Sequence, residues 1–274
     1  GEAIVKVVHR LVLIAVVLGG FGPQAVRATF HEIDVNEVYT NADGTVQYVE
    51  LIARAALQTN LGPTHVEALN ADGTVTMMVF DFTASFLALD NGETILIATP
   101  GFQAVTGFAP DFVMASGSLI SFPDGRVIFD RDGVGGPVDS VAYGDYTASN
   151  SGFGSPAAAL PFDGAHSLTR ISFPLTLNNA VDFANRTNSP RRNDGCTTTL
   201  SAAAFRDCNA NGRLDACDLR TRGSDDVNAN AIPDVCEDRG DFDGDGDVDL
   251  DDYRRLHDCL DGPDGGILPG CDVQ

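Results

Sequence analysis

Between residues 29 and 190, apolar and polar positions alternate in short runs separated by turn-forming residues. The first run is Ile33-Asp34-Val35-Asn36-Glu37-Val38-Tyr39. Asn41-Ala42-Asp43-Gly44 separates it from Val46-Gln47-Tyr48-Val49-Glu50-Leu51-Ile52. Further runs cover residues 75–82, 94–98, 119–122, 126–129, 139–143 and 167–171. A period of two puts alternate side chains on one face of a strand, so each run predicts a half-buried strand. No run here carries a convincing helical period. Many short strands linked by Asp-Gly and Asn-Gly turns predict a mainly β fold, a β-sandwich. About 160 residues is ample for one hydrophobic core.

The pattern changes after Asn188. Ser189-Pro190-Arg191-Arg192-Asn193-Asp194-Gly195 reads as a boundary, and apolar residues are few beyond it. What recurs there is a spacing of oxygen-bearing side chains. One twelve-residue window holds Asp207, Asn209, Asn211, Gly212, Asp215 and Asp218. A second holds Asp226, Asn228, Asn230, Asp234 and Glu237, and a third Asp241, Asp243, Asp245, Gly246, Asp249 and Asp252. Each places side-chain oxygens at positions 1, 3, 5, 9 and 12. Position 7 offers a backbone carbonyl from Arg213, Ile232 or Asp247. That order is how one wound loop wraps a calcium ion, which takes six to eight hard oxygen ligands. A single such cluster reads equally well as a solvated turn, because Asp, Asn and Gly favour turns for local reasons. Repetition in register favours Ca2+. The second loop has Ala231 where the sharp turn favours Gly, and the first and third end in Asp instead of Glu. These departures predict low affinity. After the third loop, Leu250, Tyr253, Leu256 and Leu260 space out one apolar face and predict a short helix over 251–260. Gly262-Pro263-Asp264-Gly265-Gly266 then reads as a turn or linker.

Charge sharpens the division. The chain of 274 residues carries a formal net charge of −22. Residues 207–274 hold 19 of the 39 acidic side chains and six Arg. Without a cation that segment repels itself and lacks apolar residues to offset the repulsion. Such a surface disfavours nucleic acid as a partner. All six cysteines lie at or beyond Cys196, which assigns them to the acidic module and not to the core. The β-domain is therefore expected to fold without calcium and without a disulfide. Residues 1–28 read as an export signal. Lys6 and Arg10 precede an apolar run from Leu11 to Gly22, and Val26 and Ala28 give a small-residue cleavage pattern. The run is too short for a transmembrane span. Export fits an even cysteine count, disulfides in an oxidising compartment, and low-affinity calcium loops.

Two family resemblances rest on these residues. Ile33-Asp34-Val35-Asn36-Glu37-Val38, Tyr48-Val49-Glu50-Leu51, Asp139-Ser140-Val141-Ala142-Tyr143-Gly144, Ser167-Leu168-Thr169-Arg170 and the stretch from Asp182-Phe183 to Ser189-Pro190 resemble a lamin tail domain. That resemblance implies an immunoglobulin-like β-sandwich over about 30–193. Where that family often has a further Asn after Glu50-Leu51, Ile52-Ala53 stands here. Asp207-Cys208-Asn209 to Cys217-Asp218, and Asp226 to Cys236-Glu237, resemble thrombospondin type-three repeats. The third loop, Asp241 to Asp252, resembles one dockerin repeat; dockerins carry two. In such repeats the cysteines tie neighbouring loops. The resemblance therefore implies Cys217–Cys236, flanked by Cys196–Cys208 and Cys259–Cys271, out of fifteen possible pairings. The expected organisation is a signal peptide at 1–28, the sandwich at 29–193 and a linker at 194–206. Thrombospondin-like loops at 207–238 and a dockerin-like or EF-hand-like loop, helix and tail at 239–274 complete it.

No convincing active site is legible. His31, His65, His166 and His257 are scattered, and no nucleophile elbow surrounds Ser167 beside His166. Glu37 and Glu50 lie on strands and read as outward, solvated carboxylates. Gly133-Val134-Gly135-Gly136-Pro137 lacks the Lys-Ser/Thr of a phosphate loop. The chain has no Trp, which disfavours sugar stacking, although Tyr143 and Tyr146 leave it open. The expected function is therefore non-enzymatic. It is a secreted or cell-surface protein with a binding or structural β-sandwich on a calcium-stabilised acidic stalk, its partners being calcium and an extracellular protein or cell-surface scaffold. The alternatives are a dockerin-type component of a polysaccharide-degrading assembly and an accessory domain of a secreted hydrolase.

Overall fold

A computed structural model describes residues 32–58, 61–83, 89–114, 119–133, 135–200, 211, 213–220, 233–236 and 250–258. The export signal expected at 1–28 lies outside these residues. The fold is mainly β, with two sheets stacked on one core and short helices at the margins. Strands β1 (Ile33–Thr40), β2 (Gln47–Ala53), β3 (Thr64–Asn70), β4 (Thr76–Phe82) and β5 (Thr94–Ala98) come first. Helix α1 (Pro100–Thr106), β6 (Phe112–Val113), β7 (Gly125–Arg131), β8 (Asp139–Tyr143), β9 (His166–Arg170), α2 (Asn179–Asp182) and β10 (Phe183–Thr187) follow. One sheet runs β10-β9-β1-β2-β5-β6 and the other β4-β3-β7-β8. All pairings are antiparallel except β5 with β6.

Alternation explains the core. Val49 and Leu51 of β2, Ile95 and Ile97 of β5, Val66 and Ala68 of β3, and Val127 and Phe129 of β7 face inward and pack together. In β1 the alternation breaks. Val35 pairs with Leu51 but Glu37 pairs with Glu50, so Asn36 is an extra, bulged residue. The bulge switches parity: Val35 and Val38 both reach the inner core, while Glu37 and Tyr39 join Tyr48 and Glu50 on the outer face. Asp139 of the second sheet accepts the Val35 N–H at 2.8 Å and pairs with Arg170, which also donates to the Val35 carbonyl. This buried pair ties the two sheets together at that end.

Two hairpin turns share one sequence, Asn-Ala-Asp-Gly-Thr-Val, at 41–46 and 70–75. They share one hydrogen-bond set as well. Asp43 Oδ1 accepts from Thr45 N–H and Oγ1, as Asp72 Oδ1 does from Thr74. Asn41 and Asn70 accept from the N–H of Val46 and Val75, each at 3.0 Å. The side chains close the turn locally and so fix the register of both hairpins. The run expected at 119–122 is not a strand, and β3, β6, β10, α1 and α2 were not anticipated.

The outer face of the larger sheet is covered. Tyr39 and Tyr48 stack with centroids 5.1 Å apart, and Phe102 of α1 meets Tyr48 edge-on. Phe108, Leu96, Ala98 and Val46 complete this second cluster, together with Cys196, Leu214 and Cys217. The assignment of every cysteine to the acidic module is thus corrected: Cys196 is buried against the sheet, 1% exposed. It bonds Cys217, with Cα atoms 5.5 Å apart. The implied pairings Cys217–Cys236 and Cys196–Cys208 are thereby excluded. Cys196 is held by the sheet, and burial of Leu214 beside it carries Cys217 into reach.

Candidate metal centre

Helix α3 (Asp215–Arg220) begins inside the first predicted loop. Its first turn carries Asp215 and Asp218, where negative charge opposes the positive end of the helix dipole. Leu214 and Cys217 point into the aromatic cluster, and the same burial encloses the two carboxylates, 4% and 1% exposed. Asn211 Nδ2 donates to Asp218 Oδ2 at 2.8 Å. Its Oδ1 accepts the Arg213 N–H, also at 2.8 Å, which closes an Asx turn. The Arg213 guanidinium lies between Asp218 Oδ1, 3.5 Å away, and Asp194 Oδ2, 3.3 Å away. Cys236, itself disulfide-bonded, places its sulfur 3.8 Å from Asp215 Oδ1.

The structure therefore brings Asn211, Arg213 and Asp218 of the first loop together, and adds Asp194, which sequence reasoning missed; Asp215 meets Cys236 instead. Asp234 opens a 3₁₀ turn over Asp234–Cys236, and Asp252 falls within α4 (Leu250–Asp258). Asp207, Asn209, Asp226, Asn228, Asn230, Ile232, Glu237, Asp241, Asp243, Asp245, Asp247 and Asp249 lie outside the described residues. Among the described residues no group of three or more His, Cys, Asp or Glu converges as a finished metal site. The donors in place are carboxylate and amide oxygens, the chemistry that a hard cation such as Ca2+ accepts. Asp218 already has one cation beside it, Arg213, so a metal here would compete with that ion pair. The donor types suit the ion, although among the described residues they do not converge on one point.

The remaining candidates resolve differently. Glu37 and Glu50 are not solvated: both are 1% exposed and lie opposite one another in register. Burial, then the neighbouring Glu37 charge, pushes the Glu50 carboxyl up to about 8. Burial likewise pushes Asp139 up to about 7, against the opposing pull of Arg170. His166 and Ser167 diverge. His166 pairs with Asp163 at the surface, while Ser167 is buried and donates to Glu37 at 2.6 Å. Tyr143 is fully buried and Tyr146 nearly so, which leaves neither ring as a stacking platform. Among the described residues no helix is long and apolar enough to cross a membrane. Compared with known proteins, the chain matches no family model, and no curated protein is detectably similar to it.

Proposed function

We propose that this is an exported, non-enzymatic calcium-binding protein whose acidic loops are neutralised by Ca2+ and whose first loop is seated on the outer face of the β-sandwich. The observation that carries this reading is the burial of Asp215 and Asp218, the latter hydrogen-bonded to Asn211, in a loop held to the sheet by Cys196–Cys217. Asn211, Asp215, Asp218 and the Arg213 carbonyl would hold the ion, with Asp207 and Asn209 completing the loop order read from the sequence. Calcium would add positive charge beside these carboxylates, in competition with the Arg213 guanidinium at Asp218. The chain supplies the rest: a helix that aims two of them, an Asx turn that shapes the loop, and an apolar anchor at Leu214 and Cys217.

This reading alters the picture of a free acidic stalk. At α3 the module is part of the sheet's cover, so metal occupancy contributes to the stability of the β-domain itself. Binding to the folded state alone stabilises by RT ln(1 + [L]/Kd), about 0.6 kcal/mol at twice Kd and about 2.7 kcal/mol at a hundredfold excess. Titration calorimetry of the full chain after chelator treatment, alongside circular dichroism, is the test. Heat of binding with a gain of ordered signal is expected. The absence of both would refute the reading.

A further inference from the structure

Residues 188–193 lie across the outer face of the larger sheet, and three carboxylates on successive parts of that sheet hold their alternate amides. The Ser189 N–H donates to Glu37 of β1 at 2.8 Å, and the Arg191 N–H to Glu50 of β2 at 2.6 Å. The Asn193 N–H donates to Asp111, which also accepts the Leu96 N–H of β5, each at 2.9 Å. Thr94 Oγ1 donates to the Arg191 carbonyl at 2.8 Å, and the Arg191 guanidinium to the Gly92 carbonyl at 2.9 Å. This strap leads directly to Cys196 and so to α3.

Glu37 and Glu50 differ in what surrounds them. Glu37 accepts from Tyr48 O–H, Ser167 O–H, Ser189 N–H and Ser189 O–H. Glu50 accepts from Asn36 Nδ2 at 2.7 Å and from Arg191 N–H. Two ionised carboxylates side by side in so dry a place repel each other and lose their hydration. One proton shared at the pair relieves both costs, and burial favours it on Glu50. The titratable or charged groups facing the pair are Tyr48 from β2 and Arg191 from the strap; Asn36, Ser167 and Ser189 are neutral. Three of the donors come from the strap and favour the ionised acids, but the strap also shuts water out of both, and burial is the larger effect at Glu50. When it leaves, water replaces it and both acids can ionise.

We propose that residues 188–193 form a proton-controlled latch: the seated strap requires the Glu37–Glu50 pair to hold one proton, and loss of that proton releases the strap. By linkage, the seated strap raises the pair's proton affinity, and rising pH weakens the seat by the same amount. The upward displacement of the Glu50 carboxyl, to about 8, agrees in direction and sets the pH range. Release loosens the docking of α3 without detaching it, because Cys196–Cys217 remains.

The test is amide hydrogen exchange on the full chain between pH 6 and 10, corrected for intrinsic rates. Protection at Ser189, Arg191 and Asn193 is expected to fall about tenfold or more as pH rises from 6 to about 8 and then to level off. Glu50→Gln, which is neutral throughout, should show no such fall. A second measurement needs no variant: trypsin cleavage after Arg191 or Arg192, normalised to a free peptide, should accelerate over the same range. Flat strap protection and a flat cleavage rate in the native chain would overturn the proposal. So would an equal fall in Glu50→Gln.

Discussion

Replacing both Cys196 and Cys217 by Ser removes the bond that holds α3 on the sheet while leaving an even number of cysteines elsewhere. The bond closes a loop with a sequence separation of 21. The chain-entropy relation for a loop of that size gives about 3 kcal/mol of stabilisation. Ser is close in size to Cys, so the packing loss is small and the loop term dominates. Tyrosine emission is a suitable reporter. The chain has no Trp and five Tyr, and Tyr39 and Tyr48 stack inside the cluster that Leu214 and Cys217 join. Urea unfolding followed by that emission should show a loss of about 3 kcal/mol, and the native emission should shift as the cluster opens. An unfolding free energy within about 1 kcal/mol of the native chain, with unchanged emission, would refute the docking of α3.

Global stability should fall as pH rises from about 5 to 8, the reverse of a fold built on ionised surface pairs. Glu50 and Asp139 are both raised, so the folded chain holds protons that the unfolded chain has released. Their contribution is complete below the unfolded carboxylate pKa values. It is lost progressively as pH rises from those values, at up to about 1.4 kcal/mol per pH unit for each group, and the loss is complete near about 7 for Asp139 and about 8 for Glu50. A denaturant series across pH 4–9 in which stability is flat or rises would contradict this. Arg213→Gln removes the cation beside Asp218 and should tighten calcium binding at the first loop about fivefold by calorimetry; unchanged or weaker binding would show that Arg213 does not compete. Gly125→Ala would place a Cβ 2.7 Å from the Leu69 carbonyl oxygen and 3.0 Å from Ser121 Cβ. Displacing backbone at the head of β7 should cost about 2 kcal/mol or more, and a neutral thermal shift would refute the crowding.

Much of the sandwich was legible because its strands keep a clean period of two. β5 and β8 fall on their predicted residues, and β1, β2, β4 and β7 within two residues at each end. The misses have physical causes. β10 carries Asn185, Arg186 and Thr187 on an edge exposed to solvent, so it shows no alternation. β3 alternates His65 and Glu67 with buried Val66 and Ala68, a pattern visible in hindsight. Helix α1 is too short for a period, although Pro100 at its start and left-handed Gly107 at its end mark it. The bulge at Asn36 is written as a break in alternation, Val35 then Val38, and that break places Glu37 beside Glu50. Spacing alone could not reveal that the strap would bury both. The partner of Cys196 was likewise hidden, since bonding depends on which surface α3 covers and not on distance along the chain.

The central claim is that calcium in the first loop stabilises the β-domain on which it is seated. Thermal unfolding of the full chain by tyrosine emission, in chelator and in millimolar calcium, tests it most directly when repeated with Asp218→Asn. The account predicts a higher midpoint in calcium for the native chain and a smaller or absent shift for the variant. Coincident curves for the native chain in chelator and calcium would contradict it.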